Sequence, residues 1–585
     1  MDGEQRVGEG RAGWIRVPVG AEAARWATRG RCRTVLFVVH NVASATRLLD
    51  VLPLFRDDLR VQTLVTCTGS SAFRGGVAKL LAGTGLAVLP WDQAVATPVD
   101  LAISASFGGQ LGSIAGKLTV LSHGVGYTKR LATPDTGHRT PDTSRPSPVF
   151  GLDPEWLLTD SGAPVADTMV LSHPEQLERL RAACPEAAGT AVLAGDPCFD
   201  RILAARTYRD RFRRALGVRE GQRLIVLSST WNPASLFGDG GMQDVLAALL
   251  PRLTAELPAD EYRVAAVLHP NTWHGHGPGQ IRAWLDRARR GGLTLVDPLR
   301  SWRQALIAAD AVIGDHGAVT YYAAALATPV LLGAAPLDGL DPLSPVAALM
   351  HEAPHLDPYA PLHPQLERLL TAHVPPTAPA RLTTSSPGES AALLRRHFYG
   401  QIGIPEPEDP ALLAPLPLPP YEPPYRTAPL RVLTRLAGPA EITVSRYADP
   451  RHEPDGAGDS ECEAHTAVHE DTLDPGRLAL ADVILRHGAP DDPRLGTPAD
   501  WAAEVLARHP HCALAAYVTG PDSCTVRTRA GDLVHLTGSG TDPATASSAL
   551  HAWLAAGKSL AELERYGMTV RTGATAHRVD VTPGR

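Results

Sequence analysis

The sequence predicts an α/β protein: two Rossmann-like, doubly wound lobes followed by a small α+β domain. Three observations predict it. Short apolar, β-branched runs alternate with helical stretches twice over, across 33–200 and again across 201–403. A Pro-dense stretch, 404–429, then interrupts the pattern. The remainder, 430–585, carries strand-like and helical runs without that alternation. Regular alternation places parallel strands in one sheet with helices on both faces.

Residues 1–32 are polar and rich in Gly and Arg, and read as a loose arm. The first lobe starts with the apolar run 34–39, then His40-Asn41 and a helical stretch to 59. Strands are expected at 61–65, 86–89, 101–104 and 118–121, with a helix at 73–81. Such continuous apolar runs suit strands buried on both faces. Residues 130–150 are rich in Pro, Thr and Gly and read as a mobile loop, either a surface excursion or a gate.

In the second lobe strands are expected at 224–227, 262–268, 293–296, 311–313 and 330–332. Helices are expected between them at 242–257, 281–290, 302–309 and 318–327. Two such lobes with a cleft between them make the GT-B architecture, with ligands beyond the carboxyl ends of the strands. The stretch 404–429 reads as a stiff, extended spacer. In 430–585 strands are expected at 441–444, 513–518 and 533–536, and helices at 501–508 and 547–556; no motif assigns that domain a role.

Composition sets limits. A chain of 585 residues implies about two to four domains. A net charge of −7 argues against a nucleic-acid partner. Lysine occurs only at 79, 117, 129 and 558, so a Lys within a polar motif is informative. The seven cysteines include no CxxC pair, which suits a reducing cytosol better than a disulfide framework. No apolar run reaches the roughly 18–20 residues of a membrane span. A cytoplasmic protein is expected, with any membrane contact peripheral.

Four strand-end segments carry chemistry. The first, Ser122-His123-Gly124-Val125-Gly126-Tyr127-Thr128-Lys129, follows a buried strand. Its imidazole titrates near neutrality, as a general base must, and its glycines let backbone approach a ligand. The alternative is a His that only caps a strand. The second, Ser228-Ser229-Thr230-Trp231-Asn232, offers hydroxyls for phosphate and an indole for a base, or else a turn with a packed Trp. The third is His269-Pro270-Asn271, with Trp273, His274 and His276 beyond it. Three histidines in a loop without a carboxylate are poor metal ligands, and no metal is expected. The fourth, Gly314-Asp315-His316-Gly317-Ala318, turns a strand into a helix whose N-terminal N–H groups suit a diphosphate.

Taken in order, these segments resemble the CDP-glycerol glycerophosphotransferases, the enzymes of teichoic acid priming and polymerisation. The family's His-Gly-Thr-Pro-x-Lys motif is matched by His123-Gly124 and, at altered spacing, Lys129. Its Gly-x-Pro-Arg-x-Asp segment resembles Gly195-Asp196-Pro197-Cys198-Phe199-Asp200. Ser229-Thr230-Trp231-Asn232 echoes a Pro-Thr-Trp/Tyr-Arg segment, and His269-Pro270 a His-Pro. Gly314 to Ala318 follows the family's Thr-Asp-Tyr-Ser-Ser turn in outline, with Gly317 and Ala318 where the paired serines stand. The likeness spans about 120–335 and leaves out 430–585.

The resemblance implies a GT-B transferase that needs no cofactor. It would move a glycerol-phosphate-like or glycosyl group from a nucleotide-diphosphate donor to a polyol, sugar or glycopolymer hydroxyl. His123 would deprotonate the acceptor, and His269 would stabilise charge on the donor diphosphate. Thr230, Trp231, Asp315, His316, Gly317 and Ala318 would hold the donor; Gly124, Lys129 and Asn271 would touch substrate. The departures at 232, 317 and 318 leave the donor open between a CDP-alcohol and an NDP-sugar. An epimerase of the same fold would need carboxylates such as Asp100, Asp196 and Asp315 at the sugar. A catalytically degenerate scaffold module is the rival outside enzymes. A basic stretch, Arg201 to Arg214, is the candidate for a peripheral membrane contact, or else a solvated helix.

Overall fold

The computed structural model describes residues 13–20, 22–122, 125–130, 148–241, 244–423, 425–448 and 462–584. Two parallel sheets form the lobes. The first contains β1 (Arg33–Val39), β2 (Val61–Cys67), β3 (Ala87–Leu89), β4 (Leu101–Ser104), β5 (Lys117–Leu121), β6 (Thr168–Leu171) and β7 (Ala191–Leu193), in the order β3-β2-β1-β4-β5-β6-β7. The second contains β8 (Arg223–Ser229), β9 (Tyr262–Leu268), β10 (Thr294–Leu295), β11 (Ala311–Gly314) and β12 (Val330–Leu332), in the order β10-β9-β8-β11-β12. Central strands are buried almost throughout, as double-sided cover requires: β4 and β11 have no exposed residue. This is the expected GT-B-like pair of Rossmann-like lobes.

Strand order reverses between β1 and β4 in the first lobe, and between β8 and β11 in the second. At such switch points the crossover helices leave in opposite directions and open a crevice at the strands' carboxyl ends. β6 and β7, which the sequence reading left unassigned, extend the first sheet.

Several expectations are corrected. The helix Ser390–Ile402, assigned by sequence order to the second lobe, packs into the first: Phe398 and Tyr399 stack on Phe55 at 5.6 and 5.9 Å between ring centres. Burial of its apolar face against β1 and its neighbours outweighs chain order. Part of the expected loose arm is anchored too. Trp14 Nε1 donates to Asp92 at 2.8 Å, and Ile15 N to Gln93 at 2.9 Å.

The Pro-dense stretch is extended, as expected, but it is strapped to both lobes. With few N–H groups to donate, it offers carbonyls. Ala414 O accepts from Arg201 at 2.7 Å and Pro417 O from Gln304 at 2.8 Å, while Glu422 N donates to Ala215 O at 2.8 Å.

The last domain has the expected mix of strands and helices, but its strands close on themselves. They are β13 (Leu430–Gly438), β14 (Glu441–Tyr447), β15 (Glu463–His469), β16 (Val483–His487), β17 (Leu514–Gly520), β18 (Ser523–Thr528), β19 (Leu533–Thr537), β20 (Met568–Thr572) and β21 (Thr575–Pro583). Together they make a barrel in the order β13-β14-β20-β21-β19-β18-β17-β16-β15. The helix Pro543–Ala555 packs against β13, β14 and β16 to β20, so it fills the lumen. Its Ala, Ser and Thr residues keep it slim enough, and it is buried on all sides. Arg446 ties the barrel to the second lobe: its guanidinium lies 2.7 Å from Asp260 and 2.8 Å from Asp542, all three largely buried.

Candidate functional site

Both switch points open onto one cleft of about 560 Å³. The strands deliver its residues at their carboxyl ends. β8 leads into Ser228, Ser229 and Thr230, β9 into His269 and Asn271, and β11 into His316, Gly317 and Ala318. From the first lobe come Lys129 and, after β1, His40. Of the residues singled out from sequence, Lys129, Thr230, Trp231, His269, Asn271, His316, Gly317 and Ala318 all line this cleft. His123 and Gly124 lie outside the described residues, as do 131–147 of the Pro/Thr/Gly-rich loop; Ser122 and Val125, on either side of the pair, line the cleft.

Lys129 reaches across from the first lobe. Its backbone bridges to Leu340, and its Nζ lies 3.5 Å from Thr230 Oγ1 and 5.2 Å from the centre of the Trp231 ring. Burial pushes its pKa down to about 8, against the pull of Asp315. Trp231 also meets Phe73 of the first lobe edge-to-face, at 4.9 Å between ring centres. The indole therefore helps to pin the lobes together as well as walling the cleft.

Asp315 stands behind the cleft, not in it. It is 0 % exposed. Its carboxylate accepts from Thr230 N and Leu236 N at 2.9 Å, from Gly317 N at 2.9 Å and from Ser229 Oγ at 3.2 Å. Those bonds lock the turn after β8 to the turn after β11. Asp315 is thus a positioning residue, with no lone pair facing a donor.

His316 is 4 % exposed, and burial pushes its pKa down to about 4, so it is neutral at physiological pH. The Asn232 side chain lies 3.3 Å from Nε2. With the Asn232 amide donating there, the ring proton sits on Nδ1, which is buried and has no hydrogen-bond partner among the described residues. Asn232 itself has φ of 132°, a conformation rare outside glycine and often found at functional sites. The helix Ala318–Ala325 starts at Gly317 without a side-chain cap. Its first-turn N–H groups at Ala318 and Val319 border the cleft and have no acceptor among the described residues.

His269 caps the helix Pro270–His276, with Nδ1 accepting from Asn271 N at 3.0 Å. That bond fixes the proton on Nε2 when the ring is neutral. The other histidines of that loop go separate ways: His274 lies against Gly75 and Gly76, and His276 meets the Trp284 ring. No cluster of three metal-ligating side chains occurs among the described residues.

The carboxylates considered for an epimerase are all absent from the cleft lining. Asp100 binds Arg33 and Thr34 N; Asp196 accepts from Cys198 N, Phe199 N and the Tyr322 hydroxyl. Half of the arginines in the basic stretch at 201–214 are engaged within the fold, while Arg206, Arg211 and Arg214 are exposed. Arg201 pairs with Asp50, and Arg209 and Arg213 both grip Asp310.

His40 was passed over in the sequence. It ends β1 at the first switch point, is buried, and packs Nε2 against the Gly108 carbonyl. Its Nδ1 has no hydrogen-bond partner among the described residues, and burial lowers its pKa despite that carbonyl. The signal was present: a buried strand running directly into His, as at 123 and 269.

No protein-family model matches the sequence, and no curated protein does. Among solved structures, the wall teichoic acid polymerase TagF is similar over 63% of this chain and 89% of that one, with 13% identity and a TM-score of 0.42. Anabaena Alr3699/HepE in complex with UDP-glucose covers the same share of this chain and 99% of its own, with 12% identity and a TM-score of 0.35. A glycosyltransferase from Rickettsia africae gives 12% identity and a TM-score of 0.36 over 63% of this chain and 98% of that one.

Proposed function

We propose that the chain is a GT-B-type transferase that moves a glycerol-phosphate-like or glycosyl group from a nucleotide-diphosphate donor to an acceptor hydroxyl. One observation carries this reading. The switch points of two parallel sheets converge on one cleft, where Lys129, the His316 ring and the free N–H groups at 318–319 surround the same space. A cation, a neutral donor and a helix N-terminus are the set that a diphosphate needs when no metal is bound. The family motifs at 122–129, 229–232, 269–270 and 314–318 support the same assignment.

In this reading the donor diphosphate lies against Lys129, Gly317 and Ala318, with Thr230 and Trp231 beside the nucleotide. His269 Nε2 donates to the departing phosphate oxygen, and Asn271 orients the transferred group. A histidine on the first-lobe side, His123 or His40, takes the acceptor proton. Negative charge grows on the leaving nucleotide as its bond to the transferred group breaks. Fixed donors stabilise that charge without reorganising. A glycerol-phosphate acceptor chain, and docking at a membrane surface, belong to the finer family resemblance. Within Arg201 to Arg214, any such docking falls to the exposed Arg206, Arg211 and Arg214.

Calorimetric titration with CDP, UDP and GDP compounds tests the assignment. Selective binding of CDP-glycerol supports phosphotransfer, and selective binding of an NDP-sugar supports glycosyl transfer. Binding of no nucleotide at all overturns the reading and leaves a scaffold. With the donor known, His269→Ala is expected to lower kcat by about 100-fold or more while donor affinity changes little. The base is identified by whichever of His123→Ala and His40→Ala loses turnover.

A further inference from the structure

A second cavity, of about 1230 Å³, lies on the other side of the helix Pro270–His276. Asn271 of that helix faces the transferase cleft, while Trp273 and His274 line the second cavity; Thr46 and Pro298 line both. Its walls come from both lobes and from the strap at 416–427.

Charge distinguishes it. Eight Lys and Arg side chains line it against four carboxylates. Three of those carboxylates are engaged locally, and the fourth, Glu422, acts on Arg263 only at a distance. Asp50 is shared by Arg201 and Arg303, and Asp286 holds Arg290 at 2.9 Å. Asp297 accepts from the backbone of Leu299 and Arg300 at 2.8 and 3.1 Å. Lys79, Arg263, Arg282, Arg289 and Arg300 therefore have no ion-pair partner among the described residues.

Arg263 is the telling member. It projects from β9, is 2 % exposed, and hydrogen-bonds only to the carbonyls of Leu216, Gly292 and Glu422 among the described residues, with the Glu422 carboxylate near but not paired with it. A buried guanidinium without a directly paired carboxylate is costly, and a bound anion would offset that cost. Burial and the like charge of Arg426 push its pKa down to about 9, against the pull of Glu422.

We infer that this cavity is a second binding site, separate from the transferase cleft, for a ligand bearing two or more phosphate groups. Lys79 offers a point charge from the first lobe, and Arg282, Arg289 and Arg300 offer planar forks from the second. Trp273, under the Arg282 guanidinium at 5.5 Å, supplies an apolar wall for the rest of the ligand.

The test uses the full chain and inorganic triphosphate, followed by calorimetry at low salt. Saturable binding is expected, weakened about tenfold or more in an Arg282→Ala/Arg289→Ala double variant and weakened by added salt. Lys129→Met is expected to leave this binding intact, and the double variant is expected to leave nucleotide binding and thermal melting intact. A longer polyphosphate that binds much more tightly identifies a phosphate chain as the ligand; equal affinity identifies a small phosphorylated molecule. Equal triphosphate binding by wild type and double variant overturns the inference, as does binding lost only in Lys129→Met. Binding to vesicles containing phosphatidylglycerol without any to triphosphate overturns it in favour of a membrane. Nucleotide titrations are read separately, so this site and the transferase assignment fail independently.

Discussion

Lys129 is held with a pKa of about 8, below its usual value, because burial penalises its charged form. A donor diphosphate would favour that charged form. Donor affinity is therefore expected to be flat below pH 8, where Lys129 is already protonated. Above pH 8 it is expected to fall, by up to about tenfold per unit, because binding must then take up a proton. Lys129→Met should bind weakly at every pH and lose that slope; a titration series from pH 6.5 to 9.5 reads both. Asp315 works differently, through the backbone it holds. Asp315→Ala would strand the N–H groups of Thr230, Leu236 and Gly317 in a dry interior. A stability loss of about 2–4 kcal/mol is expected in denaturant melts. The sequence identified the turn but assigned this carboxylate to the ligand. Only burial separates an Asp that faces a substrate from one that holds two turns together.

At the scale of the element, the helix Ala318–Ala325 presents backbone donors and no hydroxyls. Neighbouring space is tight: a Cβ at Gly314 would meet Thr320 Oγ1 at 2.3 Å, so the turn requires glycine there. Ala318 borders the cleft and tolerates a larger side chain better. Ala318→Ser restores one hydroxyl that the glycerophosphotransferase motif carries, and is expected to tighten donor binding about fivefold, the worth of one hydrogen bond. An unchanged dissociation constant in calorimetry would remove the diphosphate from this helix start. The strand-to-His pattern was legible wherever apolar runs were long. It located β1, β5 and β9 and singled out the histidines after β5 and β9, but not His40 after β1. It missed β6, which is short and buried by neighbours distant in sequence, and β7, a short edge strand that is only partly buried.

At the scale of the molecule, the barrel is fastened to the second lobe through Arg446, Asp260 and Asp542. Arg446 and the neighbouring Arg219, His487 and Arg426 hold the Asp542 carboxyl far below its usual range against its burial. Arg446→Met would leave two buried carboxylates facing each other. A loss of about 3–5 kcal/mol is expected, with earlier melting of the barrel and faster proteolysis within 404–429. Melting at the wild-type temperature would show that the network is not what secures the barrel. The strap adds a second tie, through the carbonyls at 414 and 417. Proline density predicted its extended form but not its attachment, because the donors that hold it, Arg201 and Gln304, lie more than a hundred residues away.

By itself the sequence determined the alternation of strands and helices, hence two parallel sheets, and the chemistry stationed at their carboxyl ends. Those are local properties: period, apolar run length, and the small residues of a turn. The tertiary structure decided the rest. It sent the helix Ser390–Ile402 back to the first lobe, closed β13 to β21 into a barrel around a helix, and brought Lys129 across to Thr230. It also gathered Lys79, Arg263, Arg282, Arg289 and Arg300 around one cavity. These outcomes depend on which surfaces bury one another and on charges far apart in the chain, and no local pattern encodes either.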